Sequence, residues 1–203
     1  MTISLPSNIP NPASIQFEIV NNTQVAVSTF TNAMQAVEQL GSHWEFSATW
    51  KILTEDQVPA FRSFLAKLRG GAETFYFSDV SSPVPVGTIS GSPVIASQVT
   101  IEQVTISSAP ASQTIFKEGD YIEIPTAGNS ELKIVTADVV SDGSGNATID
   151  FLPQLRGAAA VGQPLVYENT KGVFATNNRR QKWTITAPNN GEGFTLTGVE
   201  WVV

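Results

Sequence analysis

Across 203 residues the chain carries eleven basic and eighteen acidic side chains, a net charge of −7, with 41% hydrophobic and 14% charged residues. That balance disfavours phosphate backbones, whose binding relies on clustered Lys and Arg. The lack of cysteine excludes disulfides, thiolate nucleophiles and Cys-ligated metals, and a single histidine, His43, excludes a multi-histidine metal site. The opening MTISLPSNIPNP has neither a basic n-region nor an apolar h-region, so no signal peptide is expected there. No apolar run approaches the roughly 18 residues of a membrane span, so no membrane insertion is expected.

In chain order, Ile15, Phe17 and Ile19 alternate with Gln16 and Glu18, and Trp44, Phe46, Ala48 and Trp50 alternate with Glu45, Ser47 and Thr49. Both patterns predict strands with one buried and one wet face. From Thr54 to Arg69 the period changes: Val58, Phe61, Phe64, Leu65 and Leu68 fall at helical spacing, which predicts one α-helix near 55–69. Thr54 and Gln57 fit a capping box, Glu55 and Asp56 suit the positive helix start, and Gly70-Gly71 can stop it. Pro59 conflicts with a start at Glu55, so either the helix begins two residues later or its first turn is irregular.

Alternation returns at Tyr121–Ile124, Leu132–Val140, Ala147–Phe151 and Trp183–Thr186. In the last strand Phe194 and Leu196 share one parity, whereas Val199, Trp201 and Val203 follow the other, which predicts a bulge at Gly198. Recurrent short alternating runs with a single helix define a mainly β, antiparallel protein.

Composition divides the chain. Residues 86–167 hold three basic and eight acidic residues, net −5, whereas the remainder carries eight and ten, net −2; all four tryptophans and 14 of the 18 aromatics lie outside that stretch. The predicted organisation is an aromatic-rich barrel or sandwich domain built from 1–85 and 168–203, with a small β-barrel, OB-like in kind, inserted at 86–167. Tolerated insertions need neighbouring exit and return points, which sheet loops supply.

Few residues suit chemistry. His43 follows Gly41-Ser42 with no nucleophile-elbow motif, so a structural role is expected. Asp142, Ser144, Asn146, Thr148 and Asp150 alternate like calcium ligands, but Ala147 and Pro153 occupy positions that an EF-hand gives to Gly and Glu. SDGSGN is better read as a hairpin turn with Gly143 and Gly145 at positive φ. The carboxylates are scattered, with no pair that the sequence aligns for glycoside hydrolysis. Arg179, Arg180 and Lys182 form the tight basic cluster, read as a solvated strand end or subunit contact. Asn21-Asn22-Thr23 and Asn146-Ala147-Thr148 match glycosylation sequons, which short motifs do often by chance. Catalytic residues, cofactors and metals are therefore all expected to be none. Trp44, Phe46, Trp50, Phe61, Phe64, Leu68, Phe75, Phe77, Trp183 and Trp201 are the candidate core or subunit-interface residues. Tryptophans could instead stack sugars, which leaves a carbohydrate- or receptor-binding module used in host attachment as the alternative reading.

Two stretches carry a resemblance. Gly41-Ser-His-Trp44 with LTEDQVPAFRSFLAKLRGGAETFYF (53–77) is similar to the N-terminal half of tailed-phage structural proteins. GDYIEI (119–124) with ELKIVTADVVSDGSGNATIDFLPQLRGAAAVGQPLV (131–166) resembles their inserted β module, with Glu-Leu-Lys-x-Val-Thr and Phe-x-Pro-x-Leu-Arg signatures. Gln154 stands where a second proline is often seen. The chain thus resembles the distal tail proteins of long-tailed phages and gene-transfer particles. The resemblance implies a virion protein of the tail tip, made in the host cytoplasm, whose belt domain forms a homohexameric ring. That ring would join the tail tube protein to the hub or baseplate, and DNA would pass its lumen without specific binding.

Overall fold

In a computed structural model, residues 2–180, 182, 184–186 and 190–201 are described. In chain order the elements are β1 (Thr2–Ile3), β2 (Ser14–Val20), β3 (Thr23–Val27), β4 (Met34–Glu38), β5 (His43–Leu53), α1 (Gln57–Lys67), β6 (Thr74–Phe77) and β7 (Val94–Thr100). They continue as β8 (Gln103–Ser107), β9 (Thr114–Phe116), β10 (Tyr121–Pro125), β11 (Ser130–Val135), β12 (Val139–Val140), β13 (Ala147–Leu152), β14 (Gly172–Ala175), β15 (Thr184–Thr186) and β16 (Asn190–Glu200). The chain is mainly β with one helix among the described residues, and none of its sheets closes into a barrel through its strands.

A seven-stranded sheet runs β1-β6-β14-β16-β5-β2, with β15 added on β16. Its strands come from both ends of the chain. All its pairings are antiparallel except β1 on β6. β5 is its spine: Trp44, Phe46, Ala48 and Trp50 point into the core while His43, Glu45, Ser47 and Thr49 stay half-exposed, the two-residue period that a half-wet strand requires. Against that face lie Phe77, stacked on Phe46 at 4.0 Å between ring centroids, and Phe174, edge-on to Phe46 at 4.8 Å.

Helix α1 covers the rest of this face. Val58, Phe61, Phe64 and Leu65 are buried along it. Phe61 meets Trp50 at 4.9 Å and Phe194 at 5.1 Å, and Phe64 meets Phe75 edge-on at 5.8 Å. The helix begins at Gln57, two residues after Glu55, which removes the conflict with Pro59: its missing N–H falls in the first turn, where no intrahelical acceptor exists. Half of the expected capping box forms, with the Thr54 N–H donating to Gln57 Oε1 at 3.0 Å. The chain leaves the helix through Arg69, Gly70 and Gly71, all at positive φ.

The expected bulge at Gly198 is absent. β16 stays in one register with β5 from Gly191↔Leu53 to Val199↔Glu45, and Gly198 lies opposite Phe46. Gly198 keeps the parity of Phe194 and Leu196, and a Cβ there would stand 2.5 Å from Phe46 Cε1 and 3.1 Å from Phe174 Cβ. The gap in hydrophobicity at 198 is room for the Phe46 ring, and the next residue on that face is the buried Glu200. Val199 and Trp201 are on the outer face for this reason.

The second sheet runs β10-β11-β13-β8-β7 and packs its own core of Ile95, Val104, Ile106, Ile122, Ile124, Val135, Ile149 and Phe151. β12 pairs with β9 beside it. β11 is buried on both faces. Leu132 and Ile134 pack on the aromatic core of the larger sheet, whereas Val135 joins the smaller core. β3 and β4 form a separate two-stranded hairpin.

Candidate functional site

Eight of the candidate core or interface residues, Trp44, Phe46, Trp50, Phe61, Phe64, Leu68, Phe75 and Phe77, are buried in one cluster. Trp201 is not among them; it is 45% exposed, with its backbone N–H bonded to Val173. Trp183 lies outside the described residues. The buried indoles are tied down as buried N–H groups must be: Trp50 Nε1 donates to the Pro10 carbonyl and Trp44 Nε1 to the Leu132 carbonyl, each at 2.8 Å.

That second bond reaches from the larger sheet to the smaller one and opens onto a charged cluster which periodicity does not reveal. Lys133, fully buried, donates to Glu131 Oε2 at 2.7 Å and to the Gln154 carbonyl at 3.0 Å. Glu131 also accepts the backbone N–H of Gly157 at 2.9 Å and that of Arg156 at 3.3 Å. Arg156 Nη2 reaches Glu200 Oε2 at 2.5 Å, and Glu200 accepts the Trp44 backbone N–H at 3.1 Å. Two cations and two carboxylates thus join β11 and the loop after β13 to β5 and β16. Burial pushes the Lys133 pKa down against the pull of Glu131 and Glu200, and burial pushes the Glu200 carboxyl up against Lys133 and Arg156. Arg156 Nε, Gln154 Oε1 and Ser42 Oγ are buried without a hydrogen-bond partner.

The two signatures Glu131-Leu132-Lys133 and Leu155-Arg156-Gly157 are therefore the two halves of one clamp. The register Ile134↔Leu152 and Val135↔Phe151 is what brings the chain beyond Leu152 alongside Lys133. The signal in the sequence was a polar–apolar–polar triplet followed, some twenty residues on, by an Arg-Gly.

The polar candidates make local contacts. His43 Nδ1 lies 2.9 Å from the Gly41 carbonyl and Nε2 lies 3.4 Å from Glu45, with no hydroxyl nucleophile bonded to the ring. Asp142 spends its carboxylate on the N–H groups of Ser144 and Asn146, both at 2.8 Å, and on the Asn146 amide, which holds its pKa low. The turn uses Gly145 at φ +78°, while Gly143 is not at positive φ. No cluster of three or more metal-ligating side chains occurs among the described residues, and no helix there is long and apolar enough to cross a membrane.

What remains is surface. β3 and β4 are exposed along their whole length. Val25, Val27 and Met34 share one face of the hairpin through the pairs Val25↔Ala36 and Val27↔Met34, and Phe30 at its tip is 98% exposed. An isolated two-stranded hairpin is marginal in water, and this one has no covering layer among the described residues. No protein-family model matches the chain, and no curated protein matches it.

Proposed function

We propose that the chain is a non-enzymatic, ring-forming structural subunit of a long-tailed phage, the distal tail adaptor between tail tube and hub or baseplate. The observation that carries the reading is the amphipathic hairpin β3–β4, which has an apolar face, an exposed Phe30 and nothing to cover it among the described residues. Two further features support self-assembly. The seven-stranded sheet ends in unpaired margins at β1 and β2 among the described residues, the edges by which strands add across subunits. The accessible surface is 10,906 Å², against about 9,200 Å² for a compact monomer of this mass. That excess is about twice the roughly 800 Å² that one partner loses in a standard interface.

In this reading the ring is built by 1–85 and 168–203, and 86–167 is a peripheral module. The small module is read as OB-like, and the support is a linking segment: the Ile95 N–H donates to the Gln163 carbonyl, the Leu165 N–H to the Pro93 carbonyl, and Val166 and Glu123 exchange N–H···O bonds, so residues 163–166 tie its two outer strands together. The resemblance of 41–77 and 119–166 to distal tail proteins supplies the tail-tip setting. The glycan-binding alternative loses Trp44 and Trp50 as platforms, since both are buried.

The test is the native mass across a concentration series. A species near six times 21.7 kDa, about 130 kDa, is expected for a closed ring. A 21.7 kDa monomer at every concentration would overturn the reading.

A further inference from the structure

Resting on the ring reading, we infer that neighbouring copies are keyed electrostatically. The β2 end of the sheet in one copy, with Glu18 on the edge strand and Glu45 opposite it on β5, seats against the Lys67, Arg69, Arg179 and Arg180 corner at the β1 margin of the next. The sheet order places β2 and β1 at opposite ends of the same sheet. At the β2 end, Glu18 lies directly across from Glu45 on the outward face. Like charges directly opposed across strands destabilise a sheet that stands alone. The polar neighbours they have are Gln16, which donates to Glu18, and His43 beside Glu45; neither carboxylate pairs with a Lys or Arg among the described residues.

At the other end, the turn after α1 packs on the loop after β14. A Cβ at Gly70 would stand 3.4 Å from the Arg179 backbone, and one at Gly71 2.5 Å from the Thr176 carbonyl. This contact gathers exposed Lys67, Arg69, Arg179 and Arg180 at one corner, four of the eleven cations of an acidic chain. The corner borders a hollow lined by Thr2, Ile3, Ser4, Lys67, Arg69 and Glu73, beside the unpaired margin of β1. Glu73 is the one carboxylate among the described residues that line it.

A second copy is the occupant that these observations favour. It presents two carboxylates on a margin equally in need of a strand, and a contact between different surfaces of identical chains closes into a ring when the rotation allows. Complementary charge fixes the register of such a join and raises its rate of formation. A nucleic-acid backbone would instead approach a chain of net charge −7.

The experiment compares wild type with the acidic-end reversal E18K/E45K, with the basic-corner reversal K67E/R69E/R179E/R180E and with the chain carrying all six substitutions, each checked for folding by circular dichroism. Each one-ended reversal alone is expected to raise the concentration for half-assembly by about tenfold or more. Mixing the two one-ended variants in equal amounts should restore assembly as alternating copies, which a six-membered ring permits. The sixfold variant should assemble by itself. Rings formed by the one-ended reversals as readily as by wild type would overturn the key while leaving the ring reading in place. Failure of the folded variants to complement on mixing would do the same. A wild type that never assembles would overturn both.

Discussion

Lys133 is the residue whose removal the structure predicts most sharply. Its ammonium is fully buried and satisfies two acceptors, Glu131 Oε2 at 2.7 Å and the Gln154 carbonyl at 3.0 Å. Lys133→Met leaves Glu131 buried with only backbone N–H partners and orphans a carbonyl. Breaking a buried pair in this way costs about 3–5 kcal/mol, or about 6–20 °C in Tm for a chain of this length. Removing both charges is different, because the desolvation of two ions is then recovered along with the loss of their attraction. Glu131→Gln with Lys133→Met keeps an oxygen for the Gly157 N–H, so the double variant is expected to be more stable than Lys133→Met alone by at least about 1 kcal/mol. Urea unfolding followed by tryptophan fluorescence measures the cycle, with Trp44 bonded to Leu132 as a reporter inside the clamp. A Lys133→Met loss under 1 kcal/mol, or strict additivity of the two substitutions, would refute the reasoning.

Three further outcomes follow from the packing and charge of particular residues. Phe64→Ala should cost about 3–5 kcal/mol in urea unfolding, since the ring is buried between α1 and Phe75; a loss below about 1 kcal/mol would mean that the helix face is not core. Gly198→Ala should destabilise by about 1–3 kcal/mol through collision with Phe46, and a neutral or stabilising result by calorimetry would contradict the tight approach. The Glu200 pKa is raised by burial, so folding favours its protonated form and the penalty on its charge is lifted as pH falls through the raised pKa. Wild type should therefore gain stability relative to Glu200→Gln as pH drops from neutral toward the ordinary carboxylate range, and a gap that moves the other way would show that the charged form is the favoured one.

Much of the fold is legible because the physics involved is local. Trp44 to Trp50 alternates over a length that only a half-buried strand explains, and Val58 to Leu68 repeats at helical spacing between an acidic start and a Gly-Gly stop. The reading at Gly198 failed because periodicity registers the hydrophobicity of a position and not its volume. A glycine under an aromatic ring looks like a change of phase, and the buried Glu200 beyond it completes the illusion. The clamp escapes a reading by periodicity for another reason. Glu131, Lys133, Arg156 and Glu200 are brought together by the β11–β13 register and by packing between two sheets, neither of which any short window contains. The hairpin's exposure is hidden likewise, since nothing local to Val25, Val27 and Met34 tells whether another part of the chain covers them.

Electron microscopy of the purified assembly tests the central claim most directly. Class averages are expected to show a closed ring with six-fold symmetry and a central opening wide enough for duplex DNA, with the 86–167 modules at its outer rim. Isolated monomers at every concentration, or open filaments that never close, would contradict it.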